Sequence, residues 1–453
     1  MLEVAEEYLN LPSVIIGIGD TTPKFPYDYY YGVRIKQTVA ATTVERVGRP
    51  ELHTSLPIQS KMRRCVLRDN GTVAYYLHPT DSTKRDNGAA ADLTGADGMV
   101  MVEIPAHYRK FEYDGHDIVA LISEYPLPGF HHVPKMYRSA YEATVDRTVT
   151  ATPKLASVVN TTAAFRGGNN NASYDGTYRT FLGLPATSIS LTNFRNYARN
   201  RGEAGLNGKG WNCDLYAAQL TTYWLFVIEY ANLNSQAAYN AAPDANGYKQ
   251  GGLGDGVTIM TSGNWSTYNG YYPVVPCGVT NSLGNNTGVV PHTIDNEAGI
   301  SYTFNVPSYR GIENPFGHIW SWTDGCKCAI QSDADGGLSK FYVCNDPAKF
   351  QDSSYIDYEY RGDLPRKEGY AKFHLCGEYG DIMPREVGGS STTYMADYFY
   401  TNIPTSGVAM RGVLFGGAAY HGAAAGLSFA STSNAASLAY TDVGSRLCFI
   451  PSA

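Results

Sequence analysis

From Gln236 to the C-terminus, about 215 residues carry no helix signal as strong as the two that precede them. So long a tract, rich in Gly, Ser, Asn and Tyr, points to short strands joined by long loops. Glycine supports this, since 47 glycines make about 10% of the chain against an average near 7%. Tyrosine departs further from the usual balance, with 36 Tyr beside 16 Phe and 5 Trp. Tyr with Gly, Ser and Asn is the composition of surfaces that bind through rigid aromatic contacts and adaptable polar ones.

The two helix signals lie upstream. In residues 191–200, Leu191, Phe194, Tyr197 and Ala198 recur at three- and four-residue spacing. In residues 214–232, Ala217, Leu220, Trp224, Ile228 and Ala231 do the same, with Asp214 placed as N-cap. Strands are expected at 13–18, 30–39, 65–77, 99–104, 108–113 and 117–124, where β-branched and aromatic residues run between turn residues. The polar stretch 81–91 reads as a linker or long loop, which sets a boundary near Ala96. The 453 residues would allow about three domains, or one large domain with an appendage. The reading is an α+β protein: a mainly β N-terminal domain, 1–95, then a loop-rich domain, 96–453, with two helices and short antiparallel strands.

A net charge of −7 argues against sequence-independent binding to nucleic acid and against anionic membranes. The acidic start, Met1-Leu2-Glu3-Val4-Ala5-Glu6-Glu7, is unlike a secretory signal, and no apolar run is long enough to insert in a membrane. Eight cysteines scattered over this length are too sparse for a disulfide scaffold and read as reduced, buried thiols.

Most enzyme motifs are missing. There is no H-E-x-x-H, G-x-S-x-G or C-x-x-C, and the Gly205–Gly210 stretch lacks the Ser or Thr that a phosphate loop needs after its Lys. Asp333-Ala334-Asp335-Gly336-Gly337 opens like a calcium loop, but Cys344 stands where a bidentate Glu is required. His131-His132 and Cys326-Lys327-Cys328 have too few partners at ligand spacing to form a site.

One motif is more specific. Asn314-Pro315-Phe316-Gly317-His318-Ile319-Trp320-Ser321-Trp322-Thr323-Asp324-Gly325 resembles the N-x-x-G-N-V-W-E-W-T-x-D signature of the formylglycine-generating-enzyme type of C-type lectin fold. Tyr137 to Thr144 is similar to that family's entry strand, Trp224 to Ala231 to its A-E-W-E-Y-A-A helix, and Arg411-Gly412-Val413 with Gly444-Ser445-Arg446 to its R-G-G … G-F-R ending. The resemblance covers about 99–449 and implies a C-type lectin-like domain. Trp320 and Trp322, at i and i+2, share one face of a strand and read mainly as core. The family's enzymes carry a catalytic cysteine pair between the last two elements. Residues 416–444 contain no Cys, so oxidase activity is not expected.

That segment instead resembles the C-terminal variable region of proteins diversified by retroelements, here about 388–449. Copying errors at template adenines convert mainly Asn codons in that family. The matching positions are Ala418, Tyr420, His421, Ala424, Phe429, Ser431, Ser433, Asn434, Leu438, Tyr440 and Asp442. All are reachable by such changes, and residues 387–453 contain no Lys, Glu, Gln or Trp, which agrees with that restriction in a chain short of charge generally. The pairs and triplets Ala418/Tyr420, Phe429/Ser431/Ser433 and Leu438/Tyr440/Asp442 run with period two, so each set is expected to project from one strand face over small or apolar partners.

The resemblance thus implies a non-enzymatic receptor-binding protein of a phage tail, whose N-terminal domain, 1–95, would serve attachment or oligomerisation. Its ligand would be a host cell-surface protein or glycan, its neighbours other virion tail proteins, and its assembly a homotrimer. A diversified bacterial surface adhesin is the alternative. No cofactor is expected, although a structural calcium is not readable from sequence. The variable positions are expected to form one contiguous exposed patch.

Overall fold

A computed structural model describes residues 26–36, 44–113, 117–176, 178–202 and 210–451. The strand expected at 13–18 lies outside them. Strand Tyr30–Lys36 pairs antiparallel with Val44–Gly48 and Asp117–Ser123, and His107–Tyr113 and His131–Val133 complete a five-stranded sheet. The strand expected over 65–77 is two strands, Arg63–Leu67 and Val73–His78. Asp69-Asn70-Gly71 turns the chain between them: Gly71 has a φ of 80°, and Asn70 Oδ1 accepts from the Thr72 N–H at 3.0 Å.

A seven-stranded sheet runs Trp211–Cys213, Leu447–Phe449, Met136–Ser139, Met99–Ile104, Arg63–Leu67, Val73–His78, Asp81–Arg85. Its last strand occupies the stretch expected to be a linker. Arg63↔Glu103 through Leu67↔Met99 pair in register, so the boundary expected near Ala96 falls inside a shared sheet.

The tract after Gln236 supplies the largest sheet. Its path is Glu359–Asp363, Ser339–Val343, Trp320–Gln331, Val408–Gly416, Gly426–Thr432, Tyr398–Thr401, Gly369–Cys376, Asp381–Val387. The two ends meet, with Arg361 Nη1 3.6 Å from Asp381 Oδ2, and the sheet nearly closes into a barrel. It is not purely antiparallel, because Tyr398–Thr401 runs parallel to Gly426–Thr432.

Strands take 38% of the described residues and helices, 3-10 turns included, 16%. This overturns the expected fold class: the chain is mostly β, not a two-helix α+β domain of C-type lectin-like type. The described residues form four α-helices, α1 Pro50–Ser55, α2 Leu191–Arg199, α3 Tyr216–Tyr230 and α4 Ser262–Asn269. Helices α2 and α3 are those the periodicity indicates. In α2, Ser190 Oγ accepts from the Asn193 N–H, and Leu191, Phe194 and Ala198 are buried. Helix α3 is buried on nearly every side and threads the core between the sheets. Asp214 does not cap it. Its carboxylate is taken by the buried Arg138 guanidinium, at 3.0 and 2.6 Å, a stronger use of a carboxylate than one backbone N–H. Helix α4 escaped detection because its sequence is polar; a Thr261 cap and the burial of Trp265 and Tyr268 hold it.

The residues that carry the family resemblance lie inside as polar braces. Asp324 accepts from Arg195 at 2.5 and 3.1 Å. His318 donates from Nδ1 to Glu142 and accepts at Nε2 from the Val274 N–H at 3.0 Å. Trp322 is 1% exposed, and all eight cysteines are buried and unpaired. Asp333 and Asp335 belong to a turn, paired with Arg366 at 2.6 Å and with the Gly407 N–H at 2.6 Å.

Candidate functional site

Residues 417–425 and 433–442 are the loops that flank strand Gly426–Thr432. The second loop is pinned by backbone bonds to distant elements: Gly412 N–H to Asn434 O at 3.0 Å, Leu191 N–H to Ala436 O at 3.0 Å, Ser188 N–H to Tyr440 O at 2.9 Å, and Trp320 N–H to Asp442 O at 2.8 Å. It is therefore held as firmly as a strand without being one.

Between the loops lies a cleft of about 480 Å³. Seven of the eleven candidate positions line it: Tyr420, His421, Ser431, Ser433, Asn434, Tyr440 and Asp442. The other four do not. Ala418 is fully buried in the turn before Tyr420, and Ala424 is half-buried on the short 3-10 turn Gly422–Ala424. Leu438 is half-buried and is not part of the lining. Phe429 is fully buried beneath it, its ring 4.6 Å from Trp320, 5.1 Å from His421 and 5.5 Å from Tyr400.

The expectation of three period-two strands with open outer faces is corrected on both counts. Only Phe429 and Ser431 lie in a strand, and Gly426–Thr432 is buried on both faces because the aromatic cluster covers the side meant for solvent. Of the set expected to be exposed, Tyr440 alone is largely so, at 47%.

Sequence reasoning missed the rest of the lining. Tyr400, Leu414 and Val443 contribute from the barrel, and Ser262 and Tyr271 from α4 and the turn after it. Trp320, expected as core, is 5% exposed and also lines the cleft. No local signal marks Ser262 or Tyr271, which reach the cleft from about 150 residues upstream. The rings interlock: Tyr420 lies 4.3 Å from His421, 6.0 Å from Tyr271 and 5.9 Å from Trp265.

Two titratable side chains set the electrostatics. The Ala418 N–H donates to His421 Nδ1 at 2.9 Å, which places the ring proton on Nε2. The 3.3 Å approach of the same nitrogen to Ala418 O is the weaker contact, because a backbone N–H has a fixed direction. Burial lowers the imidazole to about 4, so it is neutral at ordinary pH. Asp442 is raised by burial to about 6, and the Tyr420 hydroxyl donates weakly to it at 3.5 Å. Burial and the Asp442 charge raise the Tyr420 hydroxyl, which stays protonated.

The cleft thus offers ring faces, short polar groups and a carboxyl that ionises near neutral pH. Among the described residues no group of three or more His, Cys, Asp or Glu is placed to hold a metal ion. Searched against protein-family models and curated proteins, the chain matches none.

Proposed function

We propose that this protein is a receptor-binding protein of a phage tail whose diversified residues surround the cleft. The observation that carries the reading is convergence. Residues 420–421, 431–434 and 440–442 come from three separate segments, and seven of the positions named from the retroelement resemblance meet around one concavity. Its floor, Trp320, Tyr400, Leu414 and Val443, lies outside the varied set. A rim that changes over a floor that does not is what a diversified site requires, since a pre-ordered surface loses least on binding. Aromatic rings with Ser and Asn between them suit a host surface protein or glycan. Homotrimeric assembly with other tail proteins belongs to the same reading, because several weak copies on one particle raise avidity by orders of magnitude.

The test is in the DNA. A near-copy of the codons for about residues 390–449, with adenines at the named positions and a reverse-transcriptase gene beside it, is the expected finding. Among clones from one source, changes should fall at Tyr420, His421, Ser433, Asn434, Tyr440 and Asp442. Changes spread evenly over the segment, with no template copy, would sink the reading.

A further inference from the structure

A second cavity, about 390 Å³, opens on another part of the molecule and shares no lining residue with the cleft. Its walls are mostly apolar, with Val133, Met136, Leu215, Phe350 and Ile450 among them. Two polar groups on those walls lack partners. Arg109 Nη1, from strand His107–Tyr113, is buried with no hydrogen-bond partner. Thr221, 2% exposed on α3, has its hydroxyl in the same state.

The surrounding charges leave Arg109 unanswered. The carboxylate that acts on it most is Asp381, and that group is already engaged by Arg361 at 3.6 Å and by the Tyr216 hydroxyl at 3.0 Å. Arg361 adds a second positive charge, and its other acidic partner, Glu359, is solvent-exposed. Asp324 also lines the cavity, but Arg195 holds it. His131, also on the lining, pairs with Glu378 at 3.2 Å. Burial lowers the Arg109 guanidinium to about 10, which leaves it charged at neutral pH. Helix α3 begins at the same wall, through Leu215, Tyr216 and Ala217, and its N-cap Leu215 offers no side-chain acceptor.

A guanidinium nitrogen buried without an acceptor is costly, and so is a buried hydroxyl without a partner. An anion at this point would answer both, beside the positive end of a 15-residue helix. We infer that this cavity binds a small carboxylate with an apolar body, its carboxylate on Arg109 and Thr221 and its body against Met136, Phe350 and Ile450. An apolar cavity of this size with a few convergent polar groups is the usual form of a small-molecule site. The site is independent of the receptor-binding reading.

Isothermal titration of the full chain with benzoate tests it, with benzamide as the neutral isostere and inorganic phosphate as an anion without an apolar body. Benzoate is expected to bind saturably, and benzamide about tenfold more weakly or worse, as loss of a charge-assisted contact implies. Arg109→Gln should lose about tenfold or more in benzoate affinity, with a melting temperature no lower than wild type, because an unanswered charge has been removed. Thr221→Val should weaken benzoate by about threefold or more, the loss of one hydrogen bond. The benzoate-to-benzamide ratio on wild type decides the matter if either variant fails to fold. No saturable benzoate binding, equal binding of benzamide, tighter binding of phosphate, or unchanged affinity in Arg109→Gln would each overturn the inference.

Discussion

Asp397 Oδ2 accepts two hydrogen bonds from one residue, Ser428: from its backbone N–H at 2.7 Å and from its hydroxyl at 2.8 Å. This buried carboxylate fixes the strand that carries Phe429 beneath the cleft. No cation lies within ion-pair distance of it among the described residues, and burial raises it to about 7. An unfolded Asp titrates near 4, so the folded state holds this proton more tightly. The stability it contributes is full below about pH 4 and is lost as pH rises through about 7. Wild type should therefore lose, relative to Asp397→Asn, on the order of 3 kcal/mol between pH 4.5 and 8. His421, held down to about 4, acts in the opposite direction, its contribution vanishing as pH falls below about 6.5, but it cancels in the comparison. Denaturant midpoints across that range read the difference; parallel profiles would show that Asp397 is ionised in the fold.

Gly426 faces the same carboxylate. A Cβ there would lie 2.0 Å from Asp397 Oδ1, closer than any real contact. Gly426→Ala should destabilise by about 1–3 kcal/mol or more, as overpacking does. The same substitution in Asp397→Ser should be milder, which a double-mutant cycle measures.

Phe429, buried beneath the cleft, and Tyr440, on its rim, play different parts. Phe429→Ala removes a fully buried ring and should cost about 3–5 kcal/mol. Tyr440→Ala, at 47% exposure, should stay within about 0.5 kcal/mol of wild type while weakening attachment to the ligand-bearing surface. Thermal melts with a cell-binding assay distinguish the two.

His374 is 2% exposed, and neither ring nitrogen has a hydrogen-bond partner. Burial lowers it to about 3, so it is neutral in the fold. An apolar residue of similar volume removes two unmet polar atoms, and His374→Leu should stabilise by about 1 kcal/mol. A lower unfolding midpoint in that variant would indicate an ordered water bridging the ring.

Local periodicity fixed what depends on near neighbours. Leu191, Phe194 and Ala198 marked α2, Leu220, Trp224 and Ile228 marked α3, and strands 99–104, 108–113 and 117–124 appeared within a residue of where they stand, because each signal is written in consecutive side chains. Family resemblance, not periodicity, brought residues 420–442 together as a candidate site. What the tertiary structure decided was the partner of each strand. Trp320–Gln331 pairs with Val408–Gly416 nearly 90 residues on, and Arg361 meets Asp381 to bring the sheet towards closure. No short window carries such pairings, so the barrel-like sheet is invisible in the sequence and the two periodic helices stand out beyond their share of the fold. The same reason governs the site. Phe429 alternates along its strand as a surface residue would, but Trp320, Tyr400 and His421 arrive from elsewhere in the chain and bury it, since the free energy of covering an aromatic ring is blind to sequence distance.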